Sequence, residues 1–164
     1  MSVELQLSLA LPDAHKRAID ELNRWRGHCI EAFARLEEAA TQTIDCHPLP
    51  AGMKRPSVFG ERIRVLKALL AEQSDKRAHG LKADLDKMED DLAWRNRIVH
   101  AAGSVYIDRK GTWLWAYRFQ PSKAGAPLDR GMLDQKEGQA IETRLSSMVR
   151  SLTTRLEPLR TPQA

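Results

Sequence analysis

The chain has 164 residues, 42% of them hydrophobic and 29% charged, with a formal net charge of +4. That length fits one domain and leaves no room for a second core of normal size, and the composition excludes a disordered chain. The positive balance is mild: it suits an anionic partner such as RNA, and it equally suits a slightly basic surface with no partner.

The segment MSVELQLSLALPDA has no basic leader, and its apolar run is too short for a signal peptide or a membrane span. Cys29 and Cys46 are the only cysteines, which is no secreted disulfide framework. The expectation is a cytoplasmic protein with no membrane partner. His28-Cys29 and Cys46-His47 raise the question of zinc, but adjacent residues lack the gap that lets a ligand pair converge on one ion. Cys29 also falls on an apolar helical stripe and reads as a small buried hydrophobe. No metal and no cofactor is expected.

The first helix is predicted to start near Asp13, after Pro12, and to run to about Ile44 on the stripe Ile19, Leu22, Cys29, Phe33, Leu36 and Ala40. A loop follows over His47-Pro48-Leu49-Pro50-Ala51-Gly52. Ser57 is the expected cap of a second helix, with Phe59, Ile63, Leu66 and Leu70 buried and an end near Gly80. A third helix carries Leu81, Leu85, Met88, Leu92 and Val99 in one series, and Gly103 is placed to stop it. Val105-Tyr106-Ile107 and Thr112 to Phe119 flank Asp108-Arg109-Lys110-Gly111, which predicts a β-hairpin at about 104–120. Pro121 to Gly131 reads as a loop. A last helix starts at about Asp134, with Ile141, Leu145, Met148, Leu152, Leu156 and Leu159 inward, and a short flexible C-terminal tail follows it.

The expected fold is therefore all-α, a single domain over residues 1–164. It is a four-helix bundle with the hairpin inserted between the third and fourth long helices.

The third helix contains a local inconsistency. With Leu92 at zero degrees and 100° per residue, the apolar series falls within about 40° of it, while Arg95 lies at about −60°, Asn96 at about +40° and His100 at about +80°. Three polar residues thus occupy the shoulders of the buried stripe, with Trp94 and Ile98 apolar on the other side. Asp91 is spaced to orient Arg95, and Asn96 to orient His100. Each residue has a plain structural explanation taken singly: a snorkelling arginine, a histidine at a helix C-terminus. Together at one helix end they mark a candidate site.

The run Arg95-Asn96-Arg97-Ile98-Val99-His100 resembles the signature of the HEPN superfamily (higher eukaryotes and prokaryotes nucleotide-binding domains). That signature is an arginine, a polar residue and a histidine after four to six intervening residues; here four intervene and the polar residue is asparagine. The resemblance covers the helical scaffold and this motif, and leaves the hairpin and loops outside. It implies a homodimer whose two motifs face one cleft. It also implies either a metal-independent endoribonuclease, as in toxins and antiviral effectors, or a non-catalytic nucleotide-binding or protein-interaction module. On the first branch Arg95, Asn96 and His100 are the catalytic candidates, the substrate is RNA, and a cognate antitoxin or regulatory protein is a further expected partner.

Cleavage without a metal uses the 2′-hydroxyl of RNA as nucleophile. It needs a base, an acid and positive charge at the phosphorane. One histidine per chain falls short of two imidazoles, which a two-fold dimer supplies. Arg97, with Arg109, Lys110 and Arg118 of the hairpin, are the expected substrate-phosphate contacts. Trp113, Trp115, Tyr117 and Phe119 share one strand face, either as a base-stacking platform or packed on the helices; packing is favoured, because four exposed aromatics endanger solubility.

Overall fold

Leu5, Gln6, Leu7, Leu9, Ala10 and Leu11 are good helix formers, and their propensity carries the first helix further back than Pro12 suggests. In a computed structural model, which describes residues 2–121 and 125–160, helix α1 spans Ser2–Asp45 with Pro12 inside it. Proline lacks one N–H and so forfeits one helical bond, which here does not end the helix at the predicted start near Asp13. The expected C-terminal tail beyond Arg160, and residues 122–124 of the expected loop, lie outside the described residues.

The two helices expected over 57–80 and 81–103 are three: α2 (Phe59–Ala71), α3 (Lys76–Asp86) and α4 (Glu89–His100). Val58, not Ser57, holds the cap position of α2 in extended backbone. Ser57 instead gives its N–H and its hydroxyl to Glu61 Oε2, at 3.0 and 3.2 Å, a reach-back that holds the Glu61 carboxyl below its ordinary value. Asp75 starts α3 by accepting from the Arg77 N–H at 3.0 Å, so Gly80 sits inside a helix rather than ending one. Gly103, the expected stop of the third helix, lies inside a strand; His100 is the last residue of α4.

Strands β1 (Ala102–Ile107) and β2 (Trp113–Phe119) form the predicted hairpin. Its turn is fastened by Asp108, whose Oδ1 accepts from the Lys110 and Thr112 N–H groups at 2.8 and 2.9 Å, and by Gly111 at φ +81°, a left-handed conformation that glycine adopts without strain. A third strand, β3 (Asp129–Asp134), pairs antiparallel with β2 and gives the order β1-β2-β3. The sequence reading placed part of this strand in a loop. Its run Asp129-Arg130-Gly131-Met132-Leu133-Asp134 has few β-formers and a single buried residue, Leu133, so its pairing comes from β2 rather than from its own pattern. Asp134 then opens α5 (Gln135–Leu156): its carboxylate accepts from the Glu137 N–H at 2.7 Å while Glu137 reaches back to the Asp134 N–H at 3.3 Å. A 3-10 turn, Glu157–Arg160, closes the described chain.

The protein is thus mostly helical with a three-stranded antiparallel sheet, not all-α with a two-stranded hairpin. It divides into two compact units, Met1–Ile30 with Asn96–Arg144, and Glu31–Arg95 with Leu145–Ala164; the boundaries fall inside α1, α4 and α5. The second unit is helical, with a core that includes Leu36, Ile63, Leu66, Leu85, Met88 and Leu152, and with Phe33 edge-on to Phe59 at 6.1 Å. The first unit holds the sheet. Trp25 of α1 packs against Trp113 and Trp115 of β2, with ring centres 5.5 and 6.2 Å away, and its indole N–H donates to the Gly138 carbonyl at 2.6 Å. Gly138 is required there, since a Cβ would run into the Trp113 ring. No described helix is long and apolar enough to cross a membrane.

Candidate functional site

The break at Lys87 and Met88 changes the phase of everything after it. Met88, Asp91 and Ile98 are buried, Arg95 is half-buried between them, and Leu92 and Val99, the expected core residues, are only half-buried. The packed side of α4 is therefore turned by about 90° from the face that a single uninterrupted helix would bury. Arg95 moves from the shoulder to the packed side, while Asn96 and His100 move out to the exposed side.

Each motif residue now has a place. The Arg95 guanidinium lies 5.6 Å from the centre of the Phe59 ring, a cation–π contact within its own unit. Asn96 and His100 are one turn apart on the exposed flank, and His100 ends the helix. Four residues lie between Arg95 and His100, so the two are five steps of 100° apart and differ by about 140° on the helical wheel. Arg97 does not point freely outward: its Nε donates to Asp129 Oδ2 at 2.6 Å, and its guanidinium sits 6.0 Å from the Tyr117 ring centre.

Sequence reasoning missed Arg26. It donates from Nε and Nη2 to the Ile98 carbonyl, at 3.1 and 2.6 Å, and lies 5.3 Å from the Trp115 ring centre. The last carbonyls of a helix have no intrahelical partner, so a guanidinium here fixes the end of α4, and partial burial lowers its pKa. Arg26 precedes Ile98 by 72 residues, so no local pattern could have announced it.

The hairpin cations do not form one cluster. Arg109 and Lys110 occupy the β1–β2 turn, whereas Arg118 lies near the far end of β2, about 17 Å along the strand from Trp113. Arg118 faces Ala102 on one side and Arg130 on the other, and Ala102 is two residues after His100. That end of the sheet is therefore tied to the end of α4. It holds a concavity of about 460 Å³ whose lining includes Ala102, Ser104, Ala116, Arg118 and Arg130.

The four aromatics of β2 do not form an exposed platform. Trp113 and Trp115 are each 1% exposed, and Tyr117 and Phe119 are half-buried. Tyr117 lies between two glycines, Gly103 and Gly131; its ring covers Gly131, where a Cβ would meet it. Burial raises its phenol pKa, against the lesser opposing effect of Arg97.

A second concavity, of about 280 Å³, is lined by residues that include Glu21, Arg24, His28, Gln135 and Glu142. His28 Nδ1 and Glu142 Oε1 are 2.8 Å apart, an imidazole oriented by a carboxylate. Next to it Cys29 is fully buried, and burial, with a smaller effect from Glu142, pushes its thiol up to about 12. Among the described residues no three His, Cys, Asp or Glu side chains gather as a metal-binding group. No family model, curated protein or solved structure matches the chain.

Proposed function

We propose that the chain is a HEPN-like, metal-independent endoribonuclease that works as a homodimer in the cytoplasm, as a toxin or antiviral effector. On this reading its long helices form the family's four-helix bundle. The observation that carries the reading is the placement of Asn96 and His100 on one exposed flank at the end of α4. Arg118 and Arg130 stand on the strands that follow that end.

The reaction is internal transesterification. The 2′-oxygen bonds to phosphorus, the bond from phosphorus to the 5′-oxygen breaks, and the products are a 2′,3′-cyclic phosphate and a 5′-hydroxyl. One His100 imidazole takes the 2′-hydroxyl proton, and that of the second copy gives a proton to the leaving oxygen. Asn96 orients the imidazole or a phosphate oxygen. Arg95 supplies positive charge to the phosphorane, for which it leaves the Phe59 ring. Arg97, Arg109 and Lys110 are outlying phosphate contacts, and Arg97 exchanges Asp129 for the phosphate in that role. A cognate antitoxin or regulatory protein is the expected protein partner.

The packing of Arg95 on Phe59 also favours a second reading, a non-catalytic module that binds a nucleotide or a protein. Labelled RNA incubated with the purified protein and a chelator separates the two. Cleavage that falls about 10²–10⁴-fold in His100→Ala supports the enzyme. Equal cleavage by the parent and the variant removes His100 from the chemistry. No cleavage, with thermal stabilisation by a nucleotide, favours the module. In cells, expression should arrest growth and His100→Ala should abolish the arrest.

A further inference from the structure

We infer that the outer face of the three-stranded sheet binds single-stranded RNA, with Arg118 and Arg130 as a phosphate clamp and Tyr106 as a base-stacking residue. The inference deepens the ribonuclease reading and rests on it for the identity of the anion.

Arg118 and Arg130 are direct cross-strand partners and both are exposed. Like charges directly opposite one another destabilise a sheet. Neither arginine is ion-paired among the described residues. The carboxylate on the same face, Asp134, is four residues away along the strand, about 14 Å, and is engaged in capping α5. Asp129 belongs to the opposite face and is held by Arg97. Two uncompensated guanidiniums side by side, planar and rich in donors, match a phosphate group.

Shape and the remaining side chains narrow the ligand. Small residues, Ala102, Ser104 and Ala116, floor the concavity beside the two arginines, so a bulky anion can approach and the Ser104 hydroxyl can donate to it. Along the same face Tyr106 is 54% exposed and Met132 63%, and Leu114 lies between Tyr106 and Asp134. From the arginine pair to Tyr106 is four residues of strand, about 14 Å, which is longer than one mononucleotide and suits a short run of unpaired nucleotides. An exposed aromatic beside cations on an open sheet is the chemistry that stacks unpaired bases and follows their backbone. Arg109 and Lys110 continue the positive charge past the Tyr106 end. At the other end, Ala102 leads back in two residues to His100, so a strand lying on this face ends beside the proposed catalytic histidine.

The test measures binding apart from cleavage. A short fluorescein-labelled oligouridylate is titrated with the full chain carrying His100→Ala, in chelator, and followed by anisotropy. Adding Arg118→Ala and Arg130→Ala together should weaken binding about tenfold at physiological salt and flatten the log–log salt slope by about 1.4. Tyr106→Ala should weaken it about fivefold or more with the slope unchanged. Arg150→Ala, an exposed change on α5, should leave both unaltered, and thermal melting confirms that each variant is folded. Parental affinity in the double-arginine variant overturns the clamp. So does competition by duplex RNA equal to that of the single strand, and so does displacement by an acidic peptide but not by RNA, which makes the face a protein-docking surface. If the clamp binds RNA as expected and the parent does not cleave it, the ribonuclease reading fails and the binding face stands.

Discussion

The inner and outer faces of the sheet are written by the same strand, yet they obey different rules. Inward, β2 presents Trp113 and Trp115, each 1% exposed, and each is fixed by what it touches: Trp25 beside both, Gly138 cut back to admit Trp113, Arg26 against Trp115. Outward, it presents Leu114, Ala116 and Arg118, and the neighbouring strands add Tyr106, Met132 and Arg130. Packing accounts for Trp113 and Trp115, whereas Tyr106, Met132, Arg118 and Arg130 are exposed. A buried residue is chosen by its neighbours, whereas an exposed row of paired arginines and an aromatic gains nothing from folding. On the inference above, that row serves a partner outside the chain.

The largest expected effect falls on the inner face. Trp113→Ala should cost about 3–5 kcal/mol in denaturant unfolding, and a loss below about 1 kcal/mol would mean that the tryptophans are not the core of their unit. Gly138→Ala sharpens the point through its sign. In an exposed helix that change gains up to about 1 kcal/mol, but here the added methyl meets the Trp113 ring, and a loss of about 1–3 kcal/mol is expected.

The same buried interior resists charge. Cys29 lies one turn after Trp25 and its thiol titrates near 12 when folded, against 9.0 for the ordinary group. Its folded pKa is raised, so the stabilisation is complete below pH 9 and is lost as pH rises from 9 towards 12. Between pH 8 and pH 10 the parent should lose about 1.4 kcal/mol that Cys29→Ala does not lose. Parallel pH profiles of the two proteins would break the argument. The smallest stability effect belongs to the outer face: replacing Arg118 and Arg130 by alanine should move stability by no more than about 0.5 kcal/mol, with any change upward as the like-charge pair is relieved. A large loss there would make the arginines structural and the contrast between the faces false.

Some of this was legible in the residues. The α1 stripe from Leu22 to Ala40, the hairpin with its glycine turn and the inward residues Ile141, Leu145, Leu152 and Leu156 of α5 follow from local periodicity and turn chemistry, which a single segment carries by itself, whereas Ile19, Met148 and Leu159, expected inward, are only half-buried. Of the candidate site, only the residues that break the pattern were legible. Arg95, Asn96 and His100 stand out as polar residues in an apolar series, but the face that each occupies depends on the break at Lys87 and Met88, which the unbroken spacing of Leu85, Met88 and Leu92 conceals.

What the sequence determined alone is the set of elements whose apolar residues recur at a fixed step, because that step is a property of one segment's own geometry. The tertiary structure decided the rest: the rotation of α4, the pairing of a weak third strand to β2, and the meetings of Arg26 with Ile98 and of Arg118 with Arg130. These are contacts between segments, and their free energy comes from burial and hydrogen bonding with partners that no local window of the chain contains.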